Sequence, residues 1–213
     1  MNSSGDRSLS KKNTGTGPLA LFKLGQGTCP LGLSPWLIMG GYQMNVTLLL
    51  CPYEDKTVLS NLIQLYRYDS SEVDGHVLSQ HGLYSYKYLD HQWTEEYRRP
   101  FIVKVDGEIA GFVLVILDVP REFTKLSNEK KTNVISNFFI MRKFRGRGIG
   151  RHVAFSIFEQ FKGVWEVRQT SENKPAYAFW KKVIAEFTID SSYQEEILES
   201  NLWKGPVMVF QSN

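Results

Sequence analysis

Between Val134 and Ile184 the sequence runs without a gap through an apolar segment, a glycine-rich basic turn, an amphipathic helix, a second apolar segment and a second amphipathic helix. Val134 to Ile140 has the β-branched and aromatic content of a strand. Ile149, Val153, Ala154, Ile157, Phe158 and Phe161 then recur at helical spacing until Gly163 ends the pattern. Val164 to Arg168 reads as a strand, and Asn173-Lys174-Pro175 supplies an N-cap and a first-turn proline. Ala176, Phe179, Trp180, Val183 and Ile184 make the apolar face of the helix that follows. Such a βαβα unit requires a sheet with helices packed against it.

The chain ahead of that unit supplies further strands. Val46 to Leu50 reads as a strand ended by Cys51-Pro52, and Glu54 to about Tyr68 as an amphipathic helix with acids in its first turn. Phe101–Val105 and Glu108–Leu117 flank Asp106-Gly107, a pair suited to a type I′ hairpin because both turn residues need positive φ. Two last strands are expected at Glu186–Ile189 and Pro206–Gln211. Strands gathered at the front, followed by βαβα, predict a mixed α/β sheet with helices on both faces. Lys125, Lys130 and Lys131 read as a solvated connection between strands. The stretch from Asp69 to Tyr97 is rich in tyrosine and histidine, and it reads as a long aromatic loop that covers a core or lines a site.

At 213 residues the chain has room for one well-buried domain, which we place at residues 44–213. Residues 1–43 lack periodicity and are rich in Gly, Ser, Asn and Pro, so they read as a disordered arm, or as sequence ahead of a natural start at Met44. The formal charge of +3 is concentrated in that arm, while acidic and basic side chains balance in the rest. A surface that tracks nucleic acid is therefore not expected. The longest apolar stretch, Gly17 to Met44, is broken by Lys23, Pro30 and Pro35, so no membrane span is expected either. Cys29 and Cys51 form neither a zinc set nor a secreted disulfide framework; they read as reduced thiols of a cytoplasmic protein.

Chemistry concentrates at Arg145-Gly146-Arg147-Gly148-Ile149-Gly150. Glycines let the backbone approach a ligand and turn its N–H groups inward, and the helix that begins there adds its positive end. Arginines add charge-assisted contacts, so the turn suits a pyrophosphate. A Walker loop would need Lys-Ser/Thr after its last glycine, and neither is present. A dinucleotide fingerprint would place its third glycine on Arg151, although Glu166 stands where a ribose-binding acid belongs. That leaves a dinucleotide-binding oxidoreductase as a minor alternative. A basic surface loop is the bland reading, set against the entropy cost of three glycines in five residues.

Asn137 to Gly150, with Arg145, Gly148 and Gly150 on the Arg/Gln-x-x-Gly-x-Gly/Ala pattern, resembles the GNAT superfamily of acyl-CoA N-acyltransferases. Asn173-x-x-Ala176-x-x-Phe179-Trp180 is similar to that family's downstream helix, and the likeness in element order runs from Val46 to Gln211. The resemblance implies a mostly antiparallel mixed sheet whose two central strands splay apart around acetyl-CoA. It further implies that backbone groups of Phe139 and Ile140 hold the pantetheine arm, that Arg145, Gly146, Arg147, Gly148, Ile149 and Gly150 hold the pyrophosphate, and that Asn173 lies at the thiol end. The implied reaction is direct transfer of an acetyl or short acyl group to a primary amine, on a small molecule or a peptide, by a monomer or homodimer.

Where many members of that family carry a catalytic glutamate and tyrosine, this chain offers Ser136 and Asn137, and Trp180. Neither asparagine nor indole exchanges a proton at neutral pH. Glu166, Glu72, Asp69, Tyr177, His76, His81 and His91 are the substitutes available, and no catalytic residue is assigned among them. With His152 the histidines show no metal spacing. A catalytically silent CoA-binding sensor or partner module stays open as a second reading.

Overall fold

The structure is a computed structural model and describes residues 36–39, 42–189 and 192–213. Its elements in chain order are β1 (Trp36–Met39), β2 (Tyr42–Leu50), α1 (Lys56–Asp74), α2 (His91–Thr94), β3 (Arg98–Val105), β4 (Glu108–Pro120), β5 (Lys131–Ile140), α3 (Ile149–Gln160), β6 (Gly163–Arg168), α4 (Lys174–Phe187), β7 (Gln194–Glu199) and β8 (Lys204–Ser212). They build one sheet in the order β1-β2-β3-β4-β5-β6-β8-β7. Every neighbouring pair is antiparallel except β5–β6, which is parallel. This is the mixed, mostly antiparallel sheet that the sequence predicts.

Helices cover both faces. On one, Val153, Ala154, Ile157 and Phe158 of α3 and Trp180, Val183 and Ile184 of α4 pack against Val113, Val115, Ile135, Trp165 and Val167. On the other, Leu59, Leu62 and Ile63 of α1 meet Ile102, Phe112, Leu114 and Phe139. A sheet buried on both faces needs near-continuous apolar strands, and β4 is buried from Ala110 through Val115.

The Asp106-Gly107 hairpin forms as expected, with φ of 51° and 84° at its two residues. Other boundaries move. Strand pairing begins at Trp36 and Tyr42, ahead of the boundary placed at residue 44; residues 1–35 of the proposed arm, Cys29 among them, lie outside the described residues. Helix α1 runs past Tyr68 to Asp74, where Gly75 takes the left-handed conformation (φ 66°) that closes it. The strand expected at Glu186–Ile189 is not formed, because α4 continues through Phe187. Phe187 completes the helical series of Trp180, Val183 and Ile184 by packing on Phe155, Phe158 and Phe210. The strand in that part of the fold is β7, an acidic, mostly exposed edge that shows no apolar alternation to find it by.

Two irregularities open the centre of the sheet. Leu114 pairs with Asn137 but Val115 with Ile135, so Ser136 is an extra residue, a bulge on β5. The parallel β5–β6 pairing covers only Asn133–Trp165 and Val134–Glu166. Beyond those two rungs the strands diverge, and the gap begins where the bulge lies.

Candidate functional site

A cleft of roughly 200 Å³ occupies this gap. Ile135, Ser136, Asn137 and Phe138 form one wall, and Val167, Arg168, Gln169 and Thr170 the other. Asn173, Ala176 and Trp180 close it on the α4 side, while Tyr66, Ser70, Val73 and Asp74 of α1 and Trp203 of the β7–β8 turn close it on the opposite side. A larger hollow of about 340 Å³, lined by Arg67, His76, Val77, Tyr84, Ser85, Lys87 and Tyr88, lies in the connection after α1.

The glycine turn joins α3 to the end of β5, the strand that forms one wall of the cleft. Gly146 and Gly148 have φ of 72° and 70°, a backbone that side chains disfavour, which explains why glycine stands at both. Gly150 has an ordinary φ and a different reason: a Cβ there would sit 3.2 Å from the ring of Phe179. Its bare backbone lets the first turn of α3 approach α4. That first turn leaves N–H groups without helical acceptors, and they suit an anion.

The arginines divide by partner. The Arg145 Nε donates to the Ile140 carbonyl at 2.7 Å, and its terminal nitrogen donates to Asp69 of α1. Arg142 Nε donates to the other Asp69 oxygen at 2.8 Å. Burial alone would raise the Asp69 carboxyl, but the two guanidinium groups outweigh it and hold the acid below its usual range. Arg151 pairs with Glu186. Arg147 alone of the three arginines at 145, 147 and 151 makes no hydrogen bond or ion pair among the described residues, so its charge is the one most available to a ligand.

Backbone alternation on β5 corrects one expectation. Met141 N–H donates to Ala110 at 2.8 Å, which makes Gly111–Ile140 a non-hydrogen-bonded pair and directs the polar groups of Phe139 at β4. A Cβ on Gly111 would collide with the Phe139 carbonyl oxygen, as this direction requires. Phe139 is therefore unable to offer its backbone to the cleft. Phe138 and Ile140 face the open side, with the Ile140 carbonyl already accepting from Arg145. Asn173 does line the cleft, and its side-chain oxygen caps α4 by accepting from Ala176 N–H at 3.2 Å.

At the centre stands Asn137, whose Oδ1 accepts from the Tyr86 hydroxyl at 2.9 Å and from Ser136 Oγ at 3.1 Å. With the oxygen engaged, the amide offers N–H donors to the cleft. Burial, with a smaller push from Tyr66, drives the Tyr86 phenol up to about 12, so this tyrosine keeps its proton. Trp180 is 5% exposed and packed by Phe138 and Phe179 at ring distances of 5.0 and 4.9 Å. It borders the cleft as a wall with an N–H, not as an acid.

The other candidates fall elsewhere. Glu166 is fully buried, and its carboxylate accepts the backbone N–H groups of Lys125, Leu126 and Ser127 at 2.9 to 3.1 Å. It anchors the β4–β5 connection and cannot reach a substrate. The Tyr177 hydroxyl donates to Glu195 on β7 and accepts from Lys181 at 3.2 Å, outside the cleft. Asp69 belongs to the arginine pair, and Glu72 lies on α1 outside the cleft lining. His76 hydrogen-bonds Arg67, His81 contacts Gln80, and His91 lies 3.8 Å from Glu95; none of them lines the cleft. Sequence reasoning passed over Asp74, Arg168, Gln169 and Trp203. Asp74 hid in the unrecognised end of α1, and the other three carry no local motif.

Among the described residues, no helix is long and apolar enough to cross a membrane. The family model described as "Acetyltransferase (GNAT) family" matches residues 62–184. No curated protein shows significant sequence similarity to the chain. Among solved structures, aminoglycoside acetyltransferase AAC(6')-Ib in complex with coenzyme A is similar at a TM-score of 0.55 and 15% identity, over 78% of this chain and 94% of that one. An acetyltransferase from Thermus thermophilus is similar at 0.56 and 15%, over 78% and 96%. Spermidine N-acetyltransferase from Vibrio cholerae, bound to CoA and spermine, is similar at 0.50 and 13%, over 78% and 95%. At these identities the likeness is one of fold.

Proposed function

Because the chain belongs to the acetyltransferase (GNAT) family, we propose that it moves an acetyl group from acetyl-CoA to a primary amine bound on the α1 side of the cleft. The observation that carries this reading is the joining of two features along one strand: a gap between β5 and β6 that opens at the Ser136 bulge, and an anion-suited glycine turn where β5 ends and α3 starts. Neither feature alone distinguishes CoA from another phosphate ligand. Together they suit a ligand with a pyrophosphate at one end and a thin polar arm to thread between strands.

In this reading the first-turn N–H groups of α3 and Arg147 receive the pyrophosphate, and Gly146, Gly148 and Gly150 let it approach. The open polar groups of Phe138 and the Ile140 N–H serve the pantetheine arm, in place of Phe139. Asn173 sits towards the thiol end. Attack requires a neutral amine; its lone pair forms the new C–N bond while the C–S bond breaks and CoA leaves as the thiol. Deprotonation falls to water in the cleft, since Asn137 has no basic atom to offer and Glu166 is out of reach. The nitrogen of Asn137 and the indole N–H of Trp180 act as hydrogen-bond donors, which orient and stabilise without transferring a proton. The solved structures of similar fold carry names of enzymes that act on aminoglycosides and spermidine, which supports an amine as acceptor in general terms.

Isothermal titration with acetyl-CoA, followed by thiol release over an amine panel, tests the proposal. Micromolar binding and turnover are expected, and absence of binding at millimolar ligand refutes it. Binding without turnover of any amine would favour the CoA-binding module, a reading motivated by Asn137 and Trp180.

A further inference from the structure

Arg168 and Gln169 on the β6 wall of the cleft and Trp203 on its α1 side have hydrogen-bonding capacity that is unmet among the described residues. Gln169 is 5% exposed, and both its amide oxygen and its amide nitrogen are buried without a partner. Trp203 presents a buried indole N–H that also lacks one. Arg168, four-fifths buried, makes no hydrogen bond and approaches Glu166 only at 3.5 Å. Both Glu166 oxygens are already occupied by backbone N–H groups, so that contact leaves the guanidinium fork unfilled. Burial lowers the Arg168 pKa against the pull of Glu166, in keeping with a cation that lacks full compensation.

Buried polar groups in folded proteins are almost always paired, and the unpartnered Gln169 amide and Trp203 indole N–H, beside an Arg168 guanidinium that makes no hydrogen bond, point to a missing partner. The arrangement is also fixed in place. The Arg168 guanidinium lies 5.5 Å from the centre of the Trp203 ring, which orders both. Gln169 N–H donates to the Pro206 carbonyl at 3.1 Å, and Gly205 (φ 132°) lies so close behind that a Cβ there would stand 2.7 Å from Ser171 N. Asp74, on the same α1 side as Trp203, accepts from Ser70 at 2.7 Å, lies 3.6 and 3.9 Å from His76 and Arg67, and makes no ion pair with Arg168 among the described residues.

We propose that these three side chains form an anion subsite and that the acceptor is an amine carrying a carboxylate, such as an amino acid, held by the Arg168 fork, the Gln169 amide N–H and the Trp203 indole N–H. A carboxylate is planar, accepts two parallel bonds from a guanidinium and has lone pairs left for the other two donors. The inference rests on the transferase reading given above, and names the acceptor class for that site.

The test compares matched pairs of amines with the intact protein and acetyl-CoA: amino acids, β-alanine and γ-aminobutyrate against their amides, with spermidine as a cationic reference. Amides have the more acidic ammonium and start with the advantage in free amine, so a preference for the acids must come from the protein. The acids are expected to have a kcat/KM roughly ten- to a hundredfold above the amides, the scale of hydrogen bonds to a charged group. Arg168→Gln should erase that preference by raising KM for the acids while leaving the amides within about threefold. Should Arg168→Gln disturb folding, Trp203→Phe keeps an aromatic ring, removes the N–H donor and should raise the acids' KM by about three- to tenfold. Preferred turnover of amides or spermidine, or an equal loss for both members of each pair in the variants, overturns the inference and leaves the transferase reading standing. Acetyl-CoA binding with no turnover of any amine overturns both.

Discussion

Replacing Glu166 by glutamine separates a structural acid from a catalytic one. The native carboxylate is fully buried and accepts from three backbone N–H groups, with Leu126 and Ser127 both at 2.9 Å on one oxygen and Lys125 shared between the two. Glutamine keeps the shape and one oxygen. The Leu126 and Ser127 bonds survive but lose charge assistance, on the order of 1 kcal/mol each. The new amide N–H₂ then faces the Lys125 N–H and Arg168, donor against donor, in a site without water access. The loss should total about 2–4 kcal/mol, or a fall in Tm of roughly 4–16 °C for a domain of this size. Urea unfolding at unchanged m-value reads the first quantity, and titration with acetyl-CoA should give an unchanged Kd. A loss below about 0.5 kcal/mol would refute the anchoring argument. Intact stability with a hundredfold fall in kcat would instead return Glu166 to the role of base.

Other perturbations probe the remaining features. Arg147→Ala should weaken acetyl-CoA binding by about tenfold without changing stability, and the difference should shrink in high salt, as titration at two ionic strengths would show. Gly148→Ala places a side chain at φ 70° and should cost about 1–2 kcal/mol in urea unfolding while also weakening acetyl-CoA binding. Asp69 has a lowered folded pKa, so its contribution is present above the unfolded carboxyl pKa and lost as the pH falls through the folded one. Asp69→Asn should therefore destabilise by about 1 kcal/mol or less at pH 7 and by progressively less as the pH falls below the unfolded carboxyl range, in parallel urea titrations. Cys51 is 2% exposed and burial, helped by Asp55, pushes its thiol up to about 12. In a Cys29→Ser background it should resist thiol reagents in the native protein at pH 8 and react in denaturant.

Local order in the chain was enough to place α1, α3 and α4, the hairpin and the glycine turn. Helical spacing of Val153, Ile157, Trp180 and Ile184 is a property of neighbours, as are the positive φ of Asp106-Gly107 and the glycines that precede α3. Those signals also carried the family resemblance and, through it, the splayed sheet. Tertiary structure decided which groups face one another. Edge strand β7, acidic and mostly exposed, is defined only by its pairing with β8. Asp69 takes up the Arg145 guanidinium from 76 positions away, and a one-residue bulge at Ser136 sets the directions of Asn137, Phe138 and Phe139. Arg168, Gln169 and Trp203 have no pattern in the sequence; they meet because β8 lies between β6 and β7 and brings the β7–β8 turn to the end of β6. Periodicity and turn chemistry reside in a few consecutive residues, whereas an acceptor subsite is a coincidence of distant ones, and the fold alone brings those together.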